Sequence, residues 1–121
     1  MQTDDKVVLR YRDGRTERAA LSPIDPDRQV ISVTRDGGEV AELNYAELKA
    51  IFFPRTASID ELEPAVGSTI SVEFSDGETI RGQAQYNPER NGFFLYPLDR
   101  SKNDRVFVVN SAIVSIEVEK L

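Results

Sequence analysis

The segment Val7-Val-Leu-Arg-Tyr-Arg-Asp-Gly-Arg-Thr-Glu-Arg18 returns in the second half of the chain as Ile70-Ser-Val-Glu-Phe-Ser-Asp-Gly-Glu-Thr-Ile-Arg81. Apolar residues alternate in both, at Val7, Leu9 and Tyr11 and again at Ile70, Val72 and Phe74. A period of two lays one face of a strand on a core and leaves the other in water. Both runs lead into Asp-Gly, at Asp13-Gly14 and Asp76-Gly77. That pair suits a two-residue hairpin, because a type I′ turn needs positive φ at both central positions. Thr16 and Arg18 then match Thr79 and Arg81 at the same offset. An internal repeat constrains the fold more than composition does, since both copies are expected to adopt one architecture.

The match continues downstream. Gln29-Val-Ile-Ser-Val-Thr34 lies opposite Gly92-Phe-Phe-Leu-Tyr-Pro97, and Glu39-Val-Ala-Glu-Leu-Asn-Tyr-Ala46 opposite Arg105-Val-Phe-Val-Val-Asn-Ser-Ala112. Apolar stretches close the copies at Ala50-Ile-Phe-Phe53 and Val114-Ser-Ile-Glu-Val118. Each copy reads as five short strands with one helical turn before the last. Tyr45–Phe53 also carries helical spacing, but its β-branched counterpart Ile113–Val118 favours a strand. The expected fold is therefore all-β: two tandem five-stranded small barrels, residues 1–54 and 67–121, joined by a linker at 55–66. Ser58 followed by Glu61 is a capping-box pattern, so the linker is expected to hold a short helix between Pro54 and Pro64.

A domain of about 60 residues buries only roughly 60% of its unfolded surface and is marginal alone. The copies are thus expected to pack on each other, or the chain to form a homodimer. Pairing Ile31 and Val33 with Phe94 and Tyr96 as core residues turns Phe93, Leu95 and Phe52 outward, onto a face for a partner.

Composition removes whole classes of chemistry. With no cysteine and no histidine, the chain lacks disulfides, a thiolate nucleophile, the commonest general base and the commonest metal ligand. A Ser-His-Asp triad is excluded. A Ser-Lys dyad needs a buried lysine, and Lys6, Lys49, Lys102 and Lys120 sit in polar or terminal settings. Asp60, Glu61 and Glu63 read as a solvated helical face, and Asp36-Gly-Gly38 as a hairpin turn instead of a phosphate loop. No catalytic residue, metal site or cofactor is expected. The polar start and the lack of a long apolar run point away from signal peptide and membrane, hence to the cytoplasm. A formal charge of −6 argues against general nucleic-acid binding.

The second copy resembles Sm-like domains, in which an Asp-Gly hairpin leads to a glycine that lets the next strand bend. Val72-Glu-Phe-Ser-Asp-Gly-Glu-Thr-Ile-Arg-Gly82 carries that pattern, with Ala19 in place of Gly82 in the first copy. Together with Asn91–Asp99 and Arg105–Asn110 it is similar to an uncharacterised bacterial Sm-like, SH3-like domain found alone or joined to signalling and type IV pilus assembly modules. The resemblance implies a small barrel and a bacterial signalling or motility setting. The Asp/aromatic/Asn set and the Arg-Gly or Lys-Gly pair of RNA-binding Sm proteins have no counterpart in Pro88–Phe94 and Val109–Ile113. The cyclic-di-GMP motifs of PilZ barrels are missing as well.

Two candidate surfaces remain. Arg81, Arg90, Arg100, Lys102 and Arg105, interleaved with Asn91, Asn103 and Asn110, form a locally basic segment suited to an anionic small ligand such as a nucleotide. Tyr86, Phe93, Phe94 and Tyr96 form an aromatic run that serves either as core or as a stacking platform. The expected function is a non-catalytic protein–protein interaction (adaptor) module, with Phe93 and Leu95 on the partner face. The alternatives are a sensor of an anionic nucleotide at Arg81, Arg90 and Arg105, and Sm-like RNA binding.

Overall fold

The computed structural model describes residues 5–21, 28–35, 37–54, 67–86, 89–98 and 103–119. The linker at 55–66 with its Ser58–Glu61 capping box, as well as Pro88, Asp99, Arg100, Lys102 and Lys120, lie outside them. Among the described residues the chain is all-β: β1 Asp5–Tyr11, β2 Thr16–Leu21, β3 Val30–Arg35, β4 Val40–Asn44, β5 Leu48–Pro54, β6 Ser68–Phe74, β7 Thr79–Ala84, β8 Gly92–Pro97, β9 Asn103–Val109 and β10 Ile113–Val118. Single 3₁₀ turns, Tyr45–Glu47 and Asn110–Ala112, precede β5 and β10.

These strands do not form two separate five-stranded barrels. They form one ten-stranded sheet, in the order β10-β6-β7-β8-β9-β5-β1-β2-β3-β4, with antiparallel pairing throughout. The joint is the β5–β9 ladder, where Ala50 faces Val108, Ile51 faces Phe107, Phe52 faces Val106 and Phe53 faces Arg105. Along Ala50–Phe53 and Val106–Val109 the two strands are apolar on both faces, the signature of strands covered on both sides. Ile51, Phe53, Phe107 and Val109 enter one core with Val7, Leu9, Leu21, Val33 and Tyr45. The alternate residues Ala50, Val106 and Val108 enter a second core with Ile70, Val72, Phe74, Phe93 and Leu95, and Phe52 packs against it. Each half thus completes its core with a strand lent by the other. The marginal surface-to-volume ratio of a half explains why the ladder joins them.

The hairpins depart from the expected type I′ geometry. In each Asp-Gly pair only the glycine takes positive φ, Gly14 at 97° and Gly77 at 91°, and among the described residues no non-glycine does. Gly14 N–H donates to the Tyr11 carbonyl at 3.1 Å, and Tyr11 N–H to the Arg15 carbonyl at 2.9 Å. This is a three-residue loop: a turn followed by one left-handed glycine. The second hairpin repeats it with Phe74, Gly77 and Glu78. Gly82 is required for want of room, not for φ: a Cβ there would run into the Tyr96 carbonyl oxygen and the Leu95 side chain.

The predicted facing of β8 is reversed. Phe93 and Leu95 are 5% and 0% exposed, while Phe94 and Tyr96 are half-buried. Gln29 and Asn91 occupy matching positions: Tyr45 N–H donates to the Gln29 carbonyl and Asn110 N–H to the Asn91 carbonyl. Ile31 and Val33 therefore correspond to Phe93 and Leu95. A register slip of one residue turns every side chain to the opposite face.

Candidate functional site

The two 3₁₀ turns meet beside the β5–β9 joint. The first is fixed by a capping box: Asn44 Oδ1 accepts from Ala46 N–H at 2.9 Å, and Glu47 Oε2 accepts from Asn44 N–H at 3.4 Å. The second turn is tied across its half by Asn110, whose Nδ2 donates to the Arg90 carbonyl at 2.8 Å and whose N–H donates to the Asn91 carbonyl at 2.8 Å. Asn91 Nδ2 in turn donates to the Arg28 carbonyl, linking the halves. Between these groups lies a cleft of about 350 Å³ lined by Gln29, Asn44, Arg90, Asn91, Asn110 and Ser111. Carboxamides, a hydroxyl and a guanidinium line it, with no carboxylate among the described lining residues. Such a lining offers hydrogen-bond donors to an anion, with the Glu47 carboxylate beside it at the Asn44 N–H.

Of the sequence-predicted site residues, the structure brings Arg90 and Asn110 together at this cleft. Arg105 sits at the other end of β9, roughly 16 Å away at about 3.3 Å per residue. Its guanidinium lies 4.6 Å from the ring centres of both Phe53 and Phe94. Arg81 lies on β7 and is ion-paired with Glu119. The three arginines therefore do not form one basic face. Phe93 and Leu95 are core residues and present no surface to a partner. Tyr86 is 47% exposed and packs edge-on against Phe93.

Sequence reasoning missed Lys49, which does not sit in a polar setting. It is 6% exposed, on β5, and its ammonium is held by Asp76 at 2.7 Å and by Glu78, both from the other half. The Phe74 ring lies 4.9 Å below it. Arg10 reaches the same Glu78 at 3.4 Å. The Lys49 contact, followed by the Glu78 N–H, holds the Asp76 carboxyl below its ordinary range. Nothing in the local spacing announces this cluster, because its acids come from another strand pair.

On the first half, burial and a 2.7 Å bond to Glu17 push the Tyr11 hydroxyl up. Arg35 joins that network through Glu17 and Glu39, both at 2.9 Å. A larger groove of about 730 Å³ beside it is walled by Lys6, Val8, Arg18, Ala20, Thr34 and Arg35. Two of its three cations, Lys6 and Arg18, stand outside that network.

The chain belongs to DUF6982, a family of unknown function, which matches residues 3–120. No curated protein matches the chain, and no solved structure does. Among the described residues, no helix is long and apolar enough to cross a membrane. No three acidic side chains among them gather as a metal-ligand set.

Proposed function

We propose that the chain is a non-catalytic protein–protein interaction module, an adaptor built from two Sm-like/SH3-like five-stranded halves sharing the β5–β9 ladder. One observation carries this reading: among the described residues the sheet ends in two open edges, β4 and β10, and these strands hold three of the most exposed large apolar side chains. Val40 is 70% exposed, Val114 60% and Val118 59%. An uncovered edge offers a row of N–H and C=O groups, and an extended partner segment adds to it as a further strand. The absence of histidine and cysteine supports a binding role over a catalytic one. A bacterial cytoplasmic signalling or motility partner is part of the proposal and rests on the Sm-like resemblance. Lysine at Val40 and Val118 together is expected to abolish capture of the partner while leaving the melting temperature within a few degrees, since both side chains face water. Capture that persists with both edges charged overturns the reading.

The cleft at the 3₁₀ turns favours a second reading, a sensor for an anionic nucleotide-type ligand. ATP and inorganic pyrophosphate are the probes. A rise in melting temperature with either is expected to vanish in Arg90→Ala and Asn110→Ala and to survive in Arg81→Ala. No rise with either probe removes this reading. Sm-like RNA binding has the least support, because phosphate contacts must form against the chain's formal charge of −6.

A further inference from the structure

The two halves repeat one pairing order, β5-β1-β2-β3-β4 and β10-β6-β7-β8-β9. Within the chain the fifth strand of the first half pairs with the fourth strand of the second. Their counterparts, β10 and β4, are the two open ends of the sheet. We infer that a second copy of this chain docks there, its β4 adding to β10 head to tail and repeating the internal joint between molecules. This rests on the strand-edge reading above and names the partner of those edges.

The structure supplies the register. On β1, Leu9 faces Ile51 as on β6 Val72 faces Ile116, so β5 residues 50–53 correspond to β10 residues 115–118. On β3, Val33 faces Ala41 as on β8 Leu95 faces Val106, so β9 residues 105–108 correspond to β4 residues 40–43. Internal pairs Ala50–Val108 and Phe53–Arg105 then become Ser115–Leu43 and Val118–Val40 between copies. Val118 and Val40, both left open to water in the isolated chain, meet face to face and cover each other.

One charge contact follows the same correspondence, while the Lys49 bridges to Asp76 and Glu78 have Val114, Asp13 and Arg15 at the corresponding places. Across the internal joint Arg10 pairs with Glu78. Arg10 corresponds to Glu73 by its place before the bulge, and Glu78 to Arg15 by its place in the hairpin. Between copies the contact becomes Glu73 with Arg15, opposite in sign and still complementary. Glu73 and Arg15 are both exposed; Arg15 exchanges its exposed pair with Asp13, and Glu73 its bond from the Ser115 hydroxyl, for the contact between copies.

This joint is weaker than the internal one. The aromatic stack of Tyr45, Phe107 and Phe94 has Asn110, Glu42 and Ser32 at the corresponding places. The geometry thus gives reversible assembly governed by concentration, while the internal joint stays permanent.

Because the contact is heterologous, one mixing experiment tests it. The purified full chain is expected to sediment above monomer mass at high micromolar concentration. Val40→Lys removes the β4 edge and Val118→Lys the β10 edge, so each variant alone is expected to be monomeric. Mixed in equal amounts, they retain one good edge each and are expected to form a two-chain species and nothing larger. Glu73→Arg alone is expected to weaken association at least tenfold, and Arg15→Glu in the same chain to restore it. Oligomers that survive in either single variant point to β4–β4 or β10–β10 pairing and overturn the inference, as does a mixture that stays monomeric. A monomeric wild-type chain that still captures a different protein through its edges overturns self-pairing and leaves the interaction-module reading standing. Loss of edge-dependent capture as well removes both.

Discussion

Phe107→Ala is expected to destabilise the chain by about 3–5 kcal/mol, within the range for emptying a phenylalanine site in a close-packed core. Phe107 is fully buried, with its ring centre 5.7 Å from that of Tyr45 and 5.2 Å from that of Phe94. It is carried by β9 of the second half yet fills the core of the first. Its loss is therefore not confined to one half. The cavity opens in the first core, while the weakened β5–β9 ladder also bears Val106 and Val108 of the second. Urea unfolding followed residue by residue, by amide signals on β2 and on β7, should show both halves lost in one transition at a lowered midpoint. The same sharing predicts that fragments 1–54 and 67–121 remain unfolded when made separately. Two resolved transitions, or a fragment that folds alone, would show that the halves are autonomous.

Much of this fold is legible in the sequence where one face of a strand is wet. The alternation at Val7, Leu9 and Tyr11, and at Ile70, Val72 and Phe74, carries both period and phase, and all six residues are buried. Phase disappears where every residue is apolar. Phe93-Phe-Leu-Tyr96 contains no polar residue to mark the outer face, and β8 is packed on both sides, with Phe94 against the first core and Phe93 in the second. The backbone contact of Asn91, matching that of Gln29, fixes its register together with the ladder pairs to β7 and β9. The joint itself leaves a trace, since Ile51–Phe53 and Val106–Val109 are unbroken apolar runs, as expected of strands covered twice. The pairing of those runs with each other is a tertiary choice that periodicity does not encode. The cleft is half legible: Arg90 and Asn110 stand out by residue type, while Gln29 and Asn44 reach it only through the joint.

Acid is expected to destabilise the chain through the Lys49 cluster, and Lys49→Met to remove that part of the sensitivity. Asp76 titrates below its ordinary range, first because Lys49 bonds it and then because the Glu78 N–H does. A carboxyl whose folded pKa is depressed contributes fully above its unfolded pKa, near 4 for aspartate. That contribution falls away as pH drops through the lower folded value. Stability from this group is thus intact at neutral pH and lost in acid, as protonation of Asp76 removes one of the charges that hold the buried Lys49 side chain. Asp76 is 52% exposed and Glu78 39% at the side chain, so water screens the pair and the loss is moderated. Asp76→Asn with Glu78→Gln should bring the acid penalty to neutral pH, as a drop of several degrees in melting temperature. Adding Lys49→Met should reverse that drop, because a buried ion pair replaced by an apolar chain of similar volume often costs nothing. Melting curves between about pH 7 and about pH 3 provide the check. If the Lys49→Met chain loses stability in acid as steeply as the wild type, the acid-sensitive carboxyls lie elsewhere. In that case Lys49 acts at the joint through its packing on Phe74 and not through its charge.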